Sequence, residues 1–253
     1  MIYIHQKIKN FPKGFSEFKK NIINNWYRFG SIVIGNKKNA LTARDKKNAK
    51  KSLRKGDVII CGALRRMHSI YIGGICTHAL LYVGSGHCIH SIAHGVGLVS
   101  FDDVLREYDT LLIIRHPETN KKKIARTIEY AMKHIGKPFD FTFESDNEKI
   151  YCTELLYNAF YNGRMKLDIF DGGTHNKFIH EIPIDGGAIH PMDLLKSSFR
   201  VVFHSHNVYL KNKELKLLER TYIGFGIKSC LIQMVKFFVL LVKKVLGIVH
   251  YSN

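Results

Sequence analysis

Apolar positions recur at helical spacing in Phe15, Phe18, Ile22, Ile23, Trp26 and Phe29, which predicts an amphipathic helix inside a basic N-terminal arm ending near residue 52. Asn36 to Lys51 turns polar and reads as a linker. Past Gly56-Asp57 the period changes: Val58-Ile59-Ile60-Cys61 is a short apolar run of the kind a buried strand carries. His78 to Val83, the glycine turn Gly84-Ser85-Gly86 and His87 to Ile92 predict a strand, a turn and a returning strand. Ser100 followed three residues later by Asp103 marks a short helix start, and Leu111 to Ile114 is a further strand. Lys122 to Ile135 places Ile124, Ile128, Ala131, Met132 and Ile135 along one helix face, closed by Gly136 and Pro138. Another helix opens at Cys152, buries Leu155, Leu156, Ala159 and Phe160, and stops at Asn162-Gly163, where a left-handed cap is expected. Residues 164 to 192 are glycine-rich and irregular, either a loop that covers a substrate or a surface excursion. Phe199 to His204 supplies the last strand. The pattern predicts an α+β fold, an antiparallel sheet packed with helices, in three segments: an arm over 1–52, a globular domain over 53–205 and a helical tail over 206–253.

Composition narrows the setting. At 253 residues the chain can bury a full core without staples, and five cysteines, Cys61, Cys76, Cys88, Cys152 and Cys230, form an odd set with no disulfide-framework spacing. That usage points to a reducing compartment, and no apolar run precedes a small-residue cleavage site near Met1, so a cytoplasmic protein without a secretory signal is expected. Thirty-nine basic residues against twenty-one acidic ones give a formal charge of +18, which favours an anionic partner or a solvated lysine coat. Nucleic acid is disfavoured, because no aromatic and basic interleaving of an RNA-binding sheet is present. In residues 215–249, Lys228, Lys236, Lys243 and Lys244 interrupt every candidate membrane span. On a helical projection they gather with Ser229 and Gln233 on one side, the pattern of a helix lying in an anionic membrane surface. The same face would serve a terminal helix docked on this protein or on a second copy. Nothing in the sequence sets the oligomeric state.

Candidate chemistry centres on Cys152. A thiol at a helix N-terminus meets unpaired amides and the positive end of the macrodipole, so a lowered pKa is expected there, and a nearby imidazole would complete a nucleophile and base pair. His78, on the first strand of the hairpin, is the candidate base. His90 shares its face if the turn has an odd-numbered loop or a bulge; a three-residue loop with Gly86 left-handed sets Leu80 opposite His90 and makes the two histidines diagonal neighbours. A two-residue Ser85-Gly86 loop would put them on opposite faces. Cys76, His78, Cys88 and His90 also form a two-cysteine, two-histidine set suited to tetrahedral zinc, but their spacing is unlike common zinc modules and no metal or other cofactor is expected.

The order of these residues carries a resemblance. Gly56-Asp57-Val58-Ile59, Thr77-His78-Ala-Leu-Leu-Tyr-Val-Gly84, Gly136-Lys-Pro-Phe-Asp140 and Tyr151-Cys-Thr-Glu-Leu155 together resemble the YiiX/YebB-like branch of the circularly permuted papain-like cysteine hydrolases, within the NlpC/p-sixty superfamily and related to lecithin retinol acyltransferase. The resemblance covers roughly residues 53 to 205. It implies a permuted papain-like domain with Cys152 as nucleophile, His78 as base and His90 as the orienting third member, where many relatives have a carboxylate. Tyr151, Thr77 and Asp140 are further candidates for the pocket or the oxyanion site, although a turn or capping role suits Asp140 better. The reaction implied is cleavage of an amide or ester, including one in a lipid or lipidated substrate at a membrane, through an acyl-enzyme thioester. Acyl transfer by the same route and a non-enzymatic, membrane-binding basic module are the alternatives.

Overall fold

The computed structural model describes residues 6–33, 40–66, 75–118, 120–143, 148–167, 189–212 and 214–218. Its centre is a six-stranded antiparallel sheet in the order β4-β3-β2-β1-β5-β6, built from β1 (Val58–Gly62), β2 (His78–Gly84), β3 (His87–Ile92), β4 (Gly95–Ser100), β5 (Thr110–Arg115) and β6 (Arg200–His204). Both faces of its middle are covered. Val58 and Ile60 of β1 join Leu81, Ile89 and Leu112 in a core shared with α5 (Cys152–Asn162), while Ile59 and Cys61 join Leu80, Cys88 and Ile113 in a second core against α2 (Ala43–Ser52) and α3 (Phe101–Glu107). Two-sided burial explains why β1 is a continuous apolar run rather than an alternation. At its start the Asp57 carboxylate accepts the Arg54 amide at 2.7 Å and pairs with Arg115 at the end of β5, also at 2.7 Å.

The remaining helices follow their signals. α4 (Lys121–Lys133) is capped by Asn120, whose side chain accepts the amides of Lys122 and Lys123. Helix α5 ends differently from expectation: Gly163 has φ −68° and the left-handed residue is Arg164. Gly163 is required by packing, since a Cβ there would stand 2.0 Å from Thr127 Oγ1 on α4.

The N-terminal segment is more closely built in than an arm. α1 (Glu17–Gly30) buries Ile23 with Ile8 against Phe11, Phe15, Ala93 and Phe141, and Asn24 Oδ1 accepts the Ile8 amide at 2.7 Å. Helix α2 runs through the second half of the expected linker over 36–51 and ends one residue beyond it. Thr42 and Asp45 form its capping box, and Ala49 is fully buried against the sheet. Asp45 also accepts the His206 amide at 3.0 Å and faces the His206 ring at 2.6 Å.

Beyond β6, β7 (Val208–Lys211) and β8 (Glu214–Leu217) form a separate hairpin that turns at Asn212, φ 52°. Residues 215–217, expected to open a helix, are therefore strand, with Leu215 buried and its neighbours outward in period two. The rest of the interfacial helix expected over 215–249 lies outside the described residues, as does most of the loop over 164–192. No described helix is long and apolar enough to cross a membrane.

Candidate active site

The β2–β3 hairpin brings two histidines together by a route the turn alone would forbid. Ser85 and Gly86, φ 50° and 75°, form a two-residue left-handed turn between the paired Gly84 and His87, not the three-residue loop expected. A bulge between Tyr82 and Gly84 corrects the phase, so Leu81 faces Ile89 and Tyr82 faces Cys88. Carried one residue further, this register sets Leu80 across from His90 and makes His78 and His90 diagonal neighbours on one face. Their rings meet at 3.1 Å, Nε2 of His78 to Nδ1 of His90, and both residues are buried. Burial pushes the His90 pKa down to about 4, so the ring is neutral near pH 7. In the tautomer pair where His78 Nε2–H donates to His90 Nδ1, Nδ1 of His78 is left as its basic nitrogen.

Cys152 is the first residue of α5, and that helix start is clamped from two sides. The Ser91 hydroxyl of β3 donates to the Ile150 carbonyl at 2.6 Å. Across the helix, the Tyr151 hydroxyl accepts the Ile189 amide at 3.2 Å while the Thr153 hydroxyl donates to the Ile189 carbonyl. Ile189 is where the chain returns after residues 168–188. The sulfur is sited by backbone donors. Burial, the largest influence, raises the Cys152 pKa; bonds from the amide of Ala79, from the amide and hydroxyl of Thr153 and from its own amide oppose it, and the balance stays above the ordinary thiol value. The helix start therefore does not by itself make a thiolate, contrary to the expectation from position alone. Ala79 directly follows His78, so the amide that reaches the thiol adjoins the candidate base.

Two neighbours of this pair carry no signal in the sequence. Cys61 stands opposite His78 in the β1–β2 register, fully buried, and burial raises its thiol well above the usual range. Tyr108, the residue closing α3, stacks on the His78 ring with centroids 5.9 Å apart and planes 19° apart. Its phenol is likewise raised by burial and lies in the fields of Cys61, Glu107, Arg66 and Cys152. An aromatic residue at a helix end reads as core; only the tertiary fold places it on the imidazole.

The other candidates have structural surroundings. The Thr77 amide donates to the Cys61 carbonyl at 3.0 Å, extending the β1–β2 ladder. Asp140, fully buried, accepts the amide and hydroxyl of Thr142 at 2.9 and 2.8 Å and pairs with Lys149 at 3.3 Å, the work of a turn residue. The two-cysteine, two-histidine zinc set does not assemble. Cys76 belongs to the core on the α5 side of the sheet and Cys88 to the core on the opposite side. Among the described residues no group of three or more His, Cys, Asp or Glu stands close enough to hold a metal ion.

An antiparallel sheet whose histidine strand precedes a helix-start cysteine is the element order of a permuted papain-like domain. Residues 52–176 match the model of the permuted papain-like amidase enzymes, the YaeF/YiiX or C92 family. Among solved structures, the metalloprotein YiiX from Escherichia coli O157:H7 aligns at 15% identity and a TM-score of 0.48, over 60% of this chain and 97% of that one. No curated protein matches.

Proposed function

We propose that this chain is a cysteine-dependent amide or ester hydrolase in which Cys152 is the nucleophile, His78 the general base and acid, and His90 the residue that orients His78. The reading is carried by the buried His78–His90 pair at 3.1 Å, together with the amide of Ala79, the residue after His78, which reaches the helix-start thiol of Cys152. The match of residues 52–176 to an amidase family supports the reaction type.

The proposed chemistry runs through a thioester. His78 Nδ1 takes the proton from Sγ as the sulfur attacks the substrate carbonyl carbon, forming the C–S bond and moving the carbonyl π electrons onto oxygen. The Cys152 amide, at the positive end of α5, donates to that oxyanion. Collapse breaks the bond to nitrogen or oxygen, and the leaving group departs with the proton held by His78. Water then gives a proton to His78 and its oxygen to the acyl carbon, the C–S bond breaks, and a carboxylic acid leaves as Sγ regains its proton. His90 accepts from His78 Nε2–H throughout and stabilises the imidazolium without taking the proton itself, since burial opposes its charge.

The test uses p-nitrophenyl butyrate hydrolysis, acid-quench mass spectrometry and iodoacetamide. Wild type accumulates an acyl adduct on Cys152, Cys152→Ala forms none, and His78→Ala loses on the order of a hundredfold or more in rate. Because burial holds the thiol up, alkylation of Cys152 in the resting protein rises with pH through a midpoint above the ordinary value of about 8.5. Equal turnover by wild type and Cys152→Ala would refute the nucleophile.

A further inference from the structure

We propose that Tyr108 is the positioning residue for His78: its stacked ring fixes the plane of the imidazole, so that Nε2 stays on His90 while the opposite edge serves Cys152. The inference rests on the Cys152/His78 reading above and adds to it a residue on α3 that the nucleophile and base pair does not include.

The need for such a residue follows from His90. A carboxylate beside an imidazole holds it by charge as well as by hydrogen bonding; a neutral ring supplies one hydrogen bond and no charge. That bond acts in the plane of the imidazole, at one ring edge. A ring lying 5.9 Å away at an interplanar angle of 19° acts on the face and sets the plane itself. Tyr108 is itself held: its amide donates to the Val104 carbonyl at 3.1 Å at the close of α3, and the next residue, Asp109, pairs with Arg65 at 2.7 Å. The support of His78 is therefore divided. His90, tilted by 58° to the His78 ring, acts along the ring edge, and Tyr108 acts on the ring face. The face has an electrostatic consequence as well, because the negative π surface of a phenol ring favours the imidazolium formed when His78 takes the thiol proton.

The experiment compares Tyr108→Phe, which keeps the ring and removes the hydroxyl, with Tyr108→Leu, which removes the stack. Hydrolysis of p-nitrophenyl butyrate is read as a pH profile, and the His78 ring is titrated by imidazole 1H–15N NMR. The Phe variant is expected within about twofold of wild type; the Leu variant loses about tenfold or more in kcat, the order of loss a misplaced catalytic group brings. Its acid limb and the His78 titration both move down by about half a pH unit, because a cation–π contact of ordinary size is lost. A Leu variant equal to wild type in rate and titration overturns the inference. So does a Phe variant as impaired as Leu, which would assign the work to the hydroxyl. Should the Leu variant fail to fold by circular dichroism, Tyr108→Met takes its place with the same criteria. If Cys152→Ala hydrolyses the ester as fast as wild type, the hydrolase reading is what fails; the NMR titration, which needs no turnover, still judges Tyr108.

Discussion

His90 can accept a hydrogen bond from His78 only while it is neutral, and its burial makes that neutrality a property of the fold. The folded pKa of about 4 lies below the unfolded value near 6.5, so between those limits the unfolded chain binds the additional proton. Stability from this residue is therefore present in full above about pH 6.5 and is lost as pH falls toward 4, by about 3 kcal/mol in all. Urea unfolding at pH 7.5 and 4.5 should show a drop for wild type that is smaller by that order in His90→Gln; equal drops in both proteins would contradict the assignment. At this scale the sequence disclosed Cys152, His78 and His90 as types at telling positions, together with the condition under which the two histidines share a face. It did not disclose how the condition is met, because a two-residue turn and a one-residue bulge cancel in phase and leave no separate mark in the pattern. Tyr108 and Cys61 stayed hidden for a simpler reason: their importance lies in what they touch.

At the scale of elements, local signals foretold where helices and strands start better than how they stop. The Ser100, Asn120 and Thr42 caps act within three residues and are visible in the string. Gly163 was open to the wrong explanation, since glycine after a helix usually relieves a positive φ, whereas here it admits the close approach of α4. Gly163→Ala therefore forces the two helices apart against Thr127 Oγ1 and the Lys123 carbonyl, which a Cβ would approach to 2.0 and 3.1 Å. The expected cost is about 1–3 kcal/mol by thermal or chemical unfolding, the range for overpacking. Thr127→Ala, which removes the nearer atom, should recover part of it in the double variant. Full cost in the double variant would show that the clash is not the cause. Helix α2 carries its capping box in the sequence but no apolar stripe, because Ala49 alone is fully buried within it and lysines dominate the average. Its stability comes from the sheet it covers and from His206, neither of which is local.

The whole molecule is larger than the segment that matches the amidase family model. Residues 52–176 contain five of the six strands of the central sheet and both α4 and α5, yet neither face of that sheet is closed by them alone. One core takes Leu194, Leu195, Phe199 and Val208 from beyond the segment, and the other takes Leu41 and Ala49 from before it. Asp109 ties these parts at one point: its carboxylate accepts the Ala40 amide at 3.0 Å and the Arg65 amide at 3.1 Å, while its carbonyl accepts the Asn207 side chain at 2.8 Å. Binding of the flanks is thus built on buried apolar contact plus polar groups that would be left unsatisfied without them, and loss of either is costly. A fragment limited to residues 52–176 should lack a cooperative thermal transition, bind ANS and lose near-ultraviolet circular dichroism, while the full chain keeps all three native signatures. A fragment that unfolds as sharply as the full chain would mean that the flanking helices and strands lie on an independently stable domain. The sheet predicted from apolar periodicity would then be the folding unit by itself, and the contacts made by Leu41, Ala49, Leu194 and Phe199 would be additions to it rather than part of what holds it together.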